Sequence, residues 1–184
     1  MVIRKLWWVI KSIRYKLIFN HFGSMSYIGS NIGVRNKGKI KIGNCVRIQP
    51  GLRIETVSKS SVIEIADNCS IGQNFHITSG GRLTIGKNCT ILGNVFITNI
   101  DHDYREIGVH ILQQKHIITD TIIGDNCFIG FGAAIQAGTK LGKQCIVGAN
   151  AVVRGEFPDY SVIVGVPGYV IKKYDQEKKE WIRV

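Results

Sequence analysis

Histidine and carboxylate side chains cluster in one short stretch of the sequence. Residues 98–117 hold three of the five histidines and several acids: Asp101, His102, Asp103, Glu106, His110 and His116. An imidazole titrates near neutral pH, so a histidine here is suited to take a proton from a hydroxyl group. A histidine of this stretch is therefore a candidate general base.

The other charged groups of this stretch have weaker assignments. Asp101, Asp103 or Glu106 could fix the tautomer of the base, although a surface charge is the simpler role for each of them. We assign His110 and His116 to packing or solubility.

A six-residue period on both sides of this stretch indicates the scaffold that must position it. After the stretch, aliphatic residues recur at Ile123, Ile129, Ile135, Leu141, Val147 and Val153. Before it, the same spacing gives the triplets Ile42, Ile48, Ile54; Ile65, Ile71, Ile77; and Ile85, Ile91, Ile97. The chain also contains 30 isoleucines among its 184 residues, and β-branched residues favour strands.

This period predicts an all-β fold, a triangular parallel β-helix in which each coil has three short faces. The aliphatic residue of each repeat points inward, and stacked coils satisfy each other's backbone groups. Residues 98–117 break the repeat, so the solenoid itself does not need them, and loops of this kind commonly carry function. The predicted organisation is an N-terminal helix (1–22), a β-helix (23–171) with an excursion loop (98–117), and a C-terminal tail (172–184).

The cysteines fit the repeat rather than a disulfide or zinc site. Cys69, Cys89, Cys127 and Cys145 each follow a corner aliphatic residue by four places, whereas Cys45 falls one place earlier. Their spacing matches no common zinc motif. We expect the first four to be buried free thiols in a reducing compartment, and we expect no metal.

The two ends of the chain differ from the repeat. Residues 2–19 alternate apolar and basic side chains at helical spacing, which predicts a basic amphipathic helix. Such a helix could cap the open first coil or lie on a membrane surface. Residues 172–184 are polar and predict a short helix or strap.

The net charge of +11 is concentrated at one end. Eleven basic residues precede the first acid, Glu55, and the remaining basic residues are balanced by acids. This charge either serves solubility alone or attracts an anionic partner such as a membrane or a glycan; nucleic acid is not among the partners we expect. The sequence has neither a spanning apolar segment nor a signal peptide, which predicts a cytoplasmic protein. If the basic N-terminal helix lies on a membrane and does not serve only as a cap, the protein would also be peripheral at the inner membrane face.

Motifs in and after the excursion carry a family resemblance. "DHDY", "IGDNCFIGFGAAI", "GANAVV" and "VGVPGYVIKK" follow one another, and the resemblance covers about residues 26–173. The chain resembles the left-handed β-helix acyltransferases of the hexapeptide-repeat superfamily, and within it the bacterial sugar O-acetyltransferases of the maltose, galactoside, colanic-acid and O-antigen types. The resemblance implies a left-handed coil, acetyl-CoA as co-substrate, and a homotrimer with active sites between neighbouring subunits.

The resemblance also implies roles for individual residues. His102 takes the position of the catalytic base. The CoA contacts fall on Phe128, Phe131, Gly148, Ala149, Arg154, Tyr169 and Lys172. The acceptor side falls on Asn74, His76, Asp101 and Asp103. Galactoside-type members carry a polar Asn and an acid where this chain has Gly72 and Gly80, which argues against a small free disaccharide as acceptor.

The function expected from these residues is transfer of an acetyl group from acetyl-CoA to a sugar hydroxyl in cell-surface polysaccharide biosynthesis. An amino-sugar N-acetyltransferase of the same fold is one alternative. A metal lyase of the γ-carbonic-anhydrase type shares the β-helix, but the spacing of the histidines does not match it. The non-enzyme alternative is a scaffold that binds anionic surfaces.

Overall fold

The chain folds into a stack of triangular coils. The computed structural model describes the backbone of residues 2–184, with side chains from residue 6 onward. Within these residues, strands of successive coils pair in parallel into three sheets, which form the three faces of the prism. The predicted left-handed parallel β-helix is confirmed.

The elements of the described chain are, in order, α1 (Val2–Ser12), α2 (Tyr15–Ile18), β1 (His21–Phe22), β2 (Tyr27–Ile28), β3 (Gly33–Asn36), β4 (Lys39–Ile42), β5 (Arg47–Ile48), β6 (Arg53–Thr56), β7 (Val62–Ile65), β8 (Ser70–Ile71), β9 (His76–Ser79), β10 (Arg82–Ile85), β11 (Thr90–Ile91), β12 (Phe96–Thr98), β13 (Ile100–His102), the 3₁₀ helix Ile111–Gln113, β14 (His116–Ile118), β15 (Thr121–Ile123), β16 (Phe128–Ile129), β17 (Ala134–Ile135), β18 (Lys140–Leu141), β19 (Ile146–Val147), β20 (Val152–Val153), β21 (Glu156–Phe157), β22 (Ser161–Val164), β23 (Tyr169–Asp175) and β24 (Glu180–Arg183).

The three faces have different strands. Face A contains β1, β4, β7, β10, β15, β18 and β21. Face B contains β2, β5, β8, β11, β16, β19 and β22, and it ends in the antiparallel strands β23 and β24. Face C contains β3, β6, β9, β12, β17 and β20, and β13 pairs with β14 as a separate antiparallel hairpin.

The core is a set of aliphatic ladders that run along the prism. On face A the strand register places Ile42, Ile65, Ile85, Ile123 and Leu141 directly above one another. Each is at most 2% exposed. Flat β-branched side chains stack well in such a ladder, which accounts for the high isoleucine content.

The inward orientation predicted for four cysteines is confirmed. Cys69, Cys89, Cys127 and Cys145 are free thiols and at most 1% exposed, whereas Cys45 is exposed. Cys45 occupies a corner position with φ of 55°, and Val46 points inward in its place. The buried thiols donate weak hydrogen bonds to backbone carbonyls of the next coil.

The N-terminal segment is helical as predicted, but it is not one continuous helix. α1 ends at Ser12 and α2 begins at Tyr15, because the N–H groups of Ile13 and Lys16 bond three residues back rather than four. β1 already belongs to the first coil. The side chains of residues 1–5, which the amphipathic pattern includes, lie outside the described part. None of the helices within residues 2–184 is long and apolar enough to cross a lipid bilayer.

The C-terminal segment differs from the predicted helix or strap. β23 turns back through residues 176–179 into β24, and both strands extend face B in antiparallel fashion. The Asp175 carboxylate accepts hydrogen bonds from the N–H groups of Glu177 and Lys178, and Lys179 has φ of 54°. This turn chemistry and the alternation of apolar and charged residues favour a hairpin over a helix.

Candidate functional site

The excursion folds over face C and encloses a cleft. β13 and β14 form a hairpin that leaves the prism after β12, and the chain returns to the solenoid at β15. A cavity of about 400 Å³ lies between this hairpin and face C. Its lining residues come from the hairpin and from strands of face C: Val57, His76, Thr78, Phe96, Thr98, Ile100, Asp101, His102, His116 and Gln136.

Two histidines face each other across the hairpin. His102 and His116 are directly paired in the antiparallel register, and their rings meet edge to face with centroids 4.9 Å apart. Both side chains are exposed to the cleft and to solvent. The sequence interpretation of His116 as packing or solubility missed this relationship. The mirrored order of "IDH" at 100–102 and "HII" at 116–118 is the signal that could have revealed a hairpin.

Asp101 of the hairpin forms an ion pair with Arg154, which follows β20. The family resemblance implied that Asp101 binds the acceptor and that Arg154 binds CoA. In the structure the two groups contact each other, and the pair ties the hairpin to face C. This contact links the loop that carries His102 to a rigid part of the scaffold.

Asp103 directly follows β13 and pairs with Arg105. The guanidinium Nε lies 2.8 Å from Oδ1 of the carboxylate, and a second nitrogen lies 2.5 Å from Oδ2. These bonds hold the pKa of Asp103 well below its usual range. Asp103 is absent from the cleft lining, so among the described residues the structure does not bring it to the other acceptor candidates.

His76 contributes from face C and is half-buried in the cleft. Its Nε2 lies 3.1 Å from the Thr78 hydroxyl and 3.8 Å from Glu55, and its ring lies 5.0 Å from that of Phe96. Burial lowers the pKa of His76, the charge of Arg53 acts in the same direction, and Glu55 opposes both. The neutral imidazole is therefore favoured, as a hydrogen-bonding group for a polar ligand.

Asn74 lies at a corner of the prism rather than in the cleft. It adopts φ of 55°, and its amide donates to the Asn94 side chain at 3.0 Å. Asparagine tolerates this left-handed backbone conformation, and stacked asparagines satisfy each other's amides. In the structure Asn74 therefore stabilises the corner. Of Asn74 and His76, only His76 lines the cleft.

The remaining residues assigned to CoA lie away from the cleft of their own chain. Phe128 is 40% exposed on face B, and Phe131 is 44% exposed at the corner between faces B and C. Gly148 and Ala149 pass close to Gly130 at the same corner, where a Cβ on Gly130 would lie 2.5 Å from the Ala149 nitrogen. Two further candidates lie on β23, namely Tyr169 and Lys172.

The candidate site residues therefore form two groups on one chain. The first group faces the cleft on face C, and the second lies on face B and at its corner with face C. Within the described residues there is no group of three or more His, Cys, Asp or Glu side chains that could hold a metal ion.

Comparison with known proteins assigns the family. The model of the bacterial transferase hexapeptide family (six repeats) matches residues 120–155. WbbJ of Escherichia coli strain K12, which is named as a lipopolysaccharide biosynthesis O-acetyl transferase, is 34% identical over 156 residues, 80% of this chain and 79% of its own length. The chain belongs to the hexapeptide-repeat transferase family.

Solved structures share the fold of this transferase. A mutant of AntD, an N-acyltransferase from Bacillus cereus, in complex with dTDP-4-amino-4,6-dideoxyglucose and coenzyme A superposes with a TM-score of 0.76 at 20% identity, covering 91% of each chain. A hexapeptide-repeat-containing acetyltransferase of Vibrio cholerae complexed with acetyl coenzyme A gives a TM-score of 0.60 at 20% identity, covering 90% of this transferase and 79% of that chain.

Proposed function

We propose that this transferase moves an acetyl group from acetyl-CoA to a sugar hydroxyl in the biosynthesis of a cell-surface polysaccharide such as O-antigen, capsule or exopolysaccharide. The observation that carries the proposal is the cleft itself: His102 and His116, on the excursion that interrupts the solenoid, line it together with His76 of face C. The name of WbbJ and the coenzyme A complexes of the structural neighbours support the donor and the acceptor class. The proposal places the reaction in the cytoplasm.

The proposed mechanism is direct transfer with His102 as general base. The imidazole accepts the proton of the sugar hydroxyl while the oxygen attacks the thioester carbonyl of acetyl-CoA. The tetrahedral intermediate collapses as the carbon–sulfur bond breaks, and the imidazolium returns the proton to the departing thiolate. The products are the O-acetylated sugar and free CoA, so atoms and charges balance without a metal.

His76 and Asp101 are the acceptor-side residues of this proposal that line the cleft. The neutral His76 imidazole and the Asp101 carboxylate can both hydrogen-bond sugar hydroxyls. Phe96 offers its ring face beside His76, which suits the apolar face of a pyranose.

The division of candidate residues between two faces supports a homotrimer with shared sites. Apart from Arg154, which follows β20 of face C, the residues proposed to contact CoA lie on face B and at its corner with face C, while the proposed base lies over face C. A neighbouring prism that brings its face B corner opposite this cleft would complete each site with donor-binding residues from the second chain. The proposed CoA residues are Phe128, Phe131, Gly148, Ala149, Arg154, Tyr169 and Lys172.

The decisive experiment follows thiol release from acetyl-CoA with a panel of acceptors. The panel contains glycan precursors that differ in sugar, in linkage to nucleotide or lipid phosphate, and in whether an amine replaces a hydroxyl. Release that depends on a hydroxyl-bearing sugar, with the acetyl ester found in the product, supports the proposal. Failure of the full-length protein to bind acetyl-CoA, measured by calorimetry, would overturn it.

N-acetylation of an amino sugar is the second candidate, because the AntD complex holds an amino sugar on the same fold. The two reactions differ in the product bond. Mild alkali removes an ester acetyl group and leaves an amide in place, so the same acceptor panel separates the two candidates.

A further inference from the structure

The N-terminal segment, residues 6–19, carries two stripes of mostly apolar side chains on opposite sides. We call Trp8, Ser12, Tyr15 and Phe19 the inner stripe, and Leu6, Ile10, Ile13 and Leu17 the outer stripe. At about 100° per residue these two sets lie on opposite sides of a helix. The structure gives them different environments.

The inner stripe closes the open end of the β-helix. Ser12 accepts a hydrogen bond at 3.0 Å from the Ile28 N–H, which lies on the edge of the first coil. Trp8 packs on Tyr27 with ring centroids 5.8 Å apart, and Tyr15 packs on Phe19. The side chains of the inner stripe are at most 5% exposed. Capping therefore accounts for this stripe, because it covers an edge that would otherwise expose unpaired backbone groups.

Capping does not account for the outer stripe. Leu6, Ile10 and Ile13 are 59%, 53% and 62% exposed, and Leu17 is 91% exposed. The adjacent Trp7 is 53% exposed as well. A row of large apolar side chains that points away from the fold marks a surface that another apolar phase covers.

The charged residues around the outer stripe indicate which kind of apolar surface covers it. Lys11, Arg14 and Lys16 lie among the outer-stripe residues in the sequence, and Lys11 Nζ lies 4.8 Å from the Trp7 ring centroid. The first acidic residue of the chain is Glu55, so every charged residue of the N-terminal helices and of the first coil is basic. Apolar side chains flanked by lysine, arginine and tryptophan are the pattern of helices that lie in the headgroup region of anionic membranes.

We propose that the outer stripe docks this transferase on an anionic lipid surface, while the inner stripe holds the helices on the first coil. Leu17, Ile10 and Trp7 enter the headgroup boundary, and the neighbouring lysines contact lipid phosphates. One amphipathic segment thus serves both as a cap and as a membrane contact, through its two different sides. The proposal concerns location and is independent of the acetyl transfer proposed above.

The test is co-sedimentation of the full-length protein with two kinds of vesicle. One contains phosphatidylcholine alone, and the other also contains phosphatidylglycerol. We expect binding to the anionic vesicles at low salt and weaker binding at high salt, because salt screens the lysine–phosphate attraction. The double variant Ile10→Asn, Leu17→Asn should lower the bound fraction by about tenfold or more, since it removes the apolar contact.

Matched variants keep the result specific. Val184→Asn changes an apolar residue that is 67% exposed at the other end of the chain, and it should bind vesicles like the wild type. The outer-stripe double variant should keep the wild-type melting temperature and its acetyl transfer to a soluble acceptor, because the inner stripe is intact.

The proposal is wrong if the wild type ignores anionic vesicles at low salt, or if the double variant binds them as well as the wild type. It is also wrong if the stripe instead mediates association of copies in vesicle-free solution, seen as a larger assembly that the double variant abolishes. If the wild type binds anionic vesicles but transfers no acetyl group, the proposed function is wrong and the membrane proposal stands.

Discussion

Arg154 donates a hydrogen bond to the carboxylate of Asp101, although the two residues lie 53 positions apart in the chain. Asp101 directly precedes His102, so this contact fixes the hairpin strand that carries the proposed base. A base that shifts by about 1 Å from its productive position can lose on the order of 10²-fold in rate. We therefore expect the ion pair to matter to the proposed catalysis, even though partly exposed ion pairs add little stability.

The pair predicts a coupled effect on turnover. We expect Arg154→Ala and Asp101→Asn each to lower kcat by about tenfold, and the double variant to lower it no further, because each change releases the same contact. Arg154→Lys should recover part of the loss. Steady-state kinetics of the four proteins check this. Because Arg154 is also proposed to contact CoA, Arg154→Ala should in addition raise the KM for acetyl-CoA, whereas Asp101→Asn should not.

Replacing the proposed base should remove most of the activity and leave the fold intact. We expect His102→Ala to lower kcat by about 10²–10⁴-fold, the usual scale for loss of a general base. Its melting temperature should stay close to that of the wild type, because the side chain is exposed.

His110→Ala is the matched control for that variant. His110 lies in the same excursion, where its Nδ1 accepts from the Leu112 N–H, and it is absent from the cleft lining. Near-wild-type turnover is expected. Equal losses in both variants would show that the loop as a whole, and not the imidazole of His102, matters.

The pKa of His76 predicts how stability depends on pH. Because burial lowers this pKa in the folded protein, the unfolded chain binds more protons just below pH of about 6.5. The neutral imidazole's contribution to the free energy of unfolding is fully present above that pH, and it is lost as the pH falls through the pKa of the folded state. Between pH 7.5 and 5.5, roughly, the melting temperature of the wild type should therefore fall more than that of His76→Gln. A larger fall in the variant would contradict this.

The stacked thiols should resist labelling in the folded state. The neighbouring thiol of Cys127, together with burial, raises the pKa of Cys89 to about 12. Cys127 also lowers the pKa of Cys145, but that thiol is 0% exposed. We expect a maleimide to modify Cys45 rapidly, and to modify the four buried cysteines only after denaturation. Mass spectrometry of peptides gives the sites, and rapid modification of Cys69 without denaturant would refute the inward register.

The cap predicts different effects for two neighbouring side chains. Tyr15 is 3% exposed and Leu17 is 91% exposed. Tyr15→Ala should lower the free energy of unfolding by about 3 kcal/mol, because it leaves a cavity between the helix and the first coil. Leu17→Ala should change it by less than about 0.5 kcal/mol. Urea denaturation followed by circular dichroism measures both, and similar losses in the two variants would mean that the helix does not seal the coil.

The solenoid could be predicted from the sequence because its contacts repeat. One period gives the inward residue of every coil, and Ile65, Ile85 and Cys69 follow from the same rule. The pairing of His102 with His116, and of Asp101 with Arg154, could not be predicted in this way. These contacts depend on the register and tilt of a hairpin that occurs once, and no periodicity specifies them.

At both ends of the chain, the local sequence pattern predicted only part of the structure. Polarity alone suggested a helix or strap after residue 172, whereas Trp181 and Tyr174 pack on the same side of a hairpin with ring centroids 5.6 Å apart. At the N-terminus the amphipathic pattern predicted helix correctly. The tighter turn between Ser12 and Tyr15 lies where Ser12 bonds the Ile28 N–H of the first coil, a contact that the sequence pattern does not contain.

The coils directly before and after the excursion pair with each other, so the excursion is a replaceable insertion in the solenoid. The Thr121 hydroxyl donates to the Thr98 carbonyl at 2.9 Å, and β10 pairs directly with β15 as though nothing had been inserted between the coils. The solenoid register therefore does not depend on the length of the segment between these two threonines. The segment can therefore lengthen, shorten or be replaced in evolution without refolding the solenoid, so the side chains that it presents to the cleft can change while the scaffold stays the same.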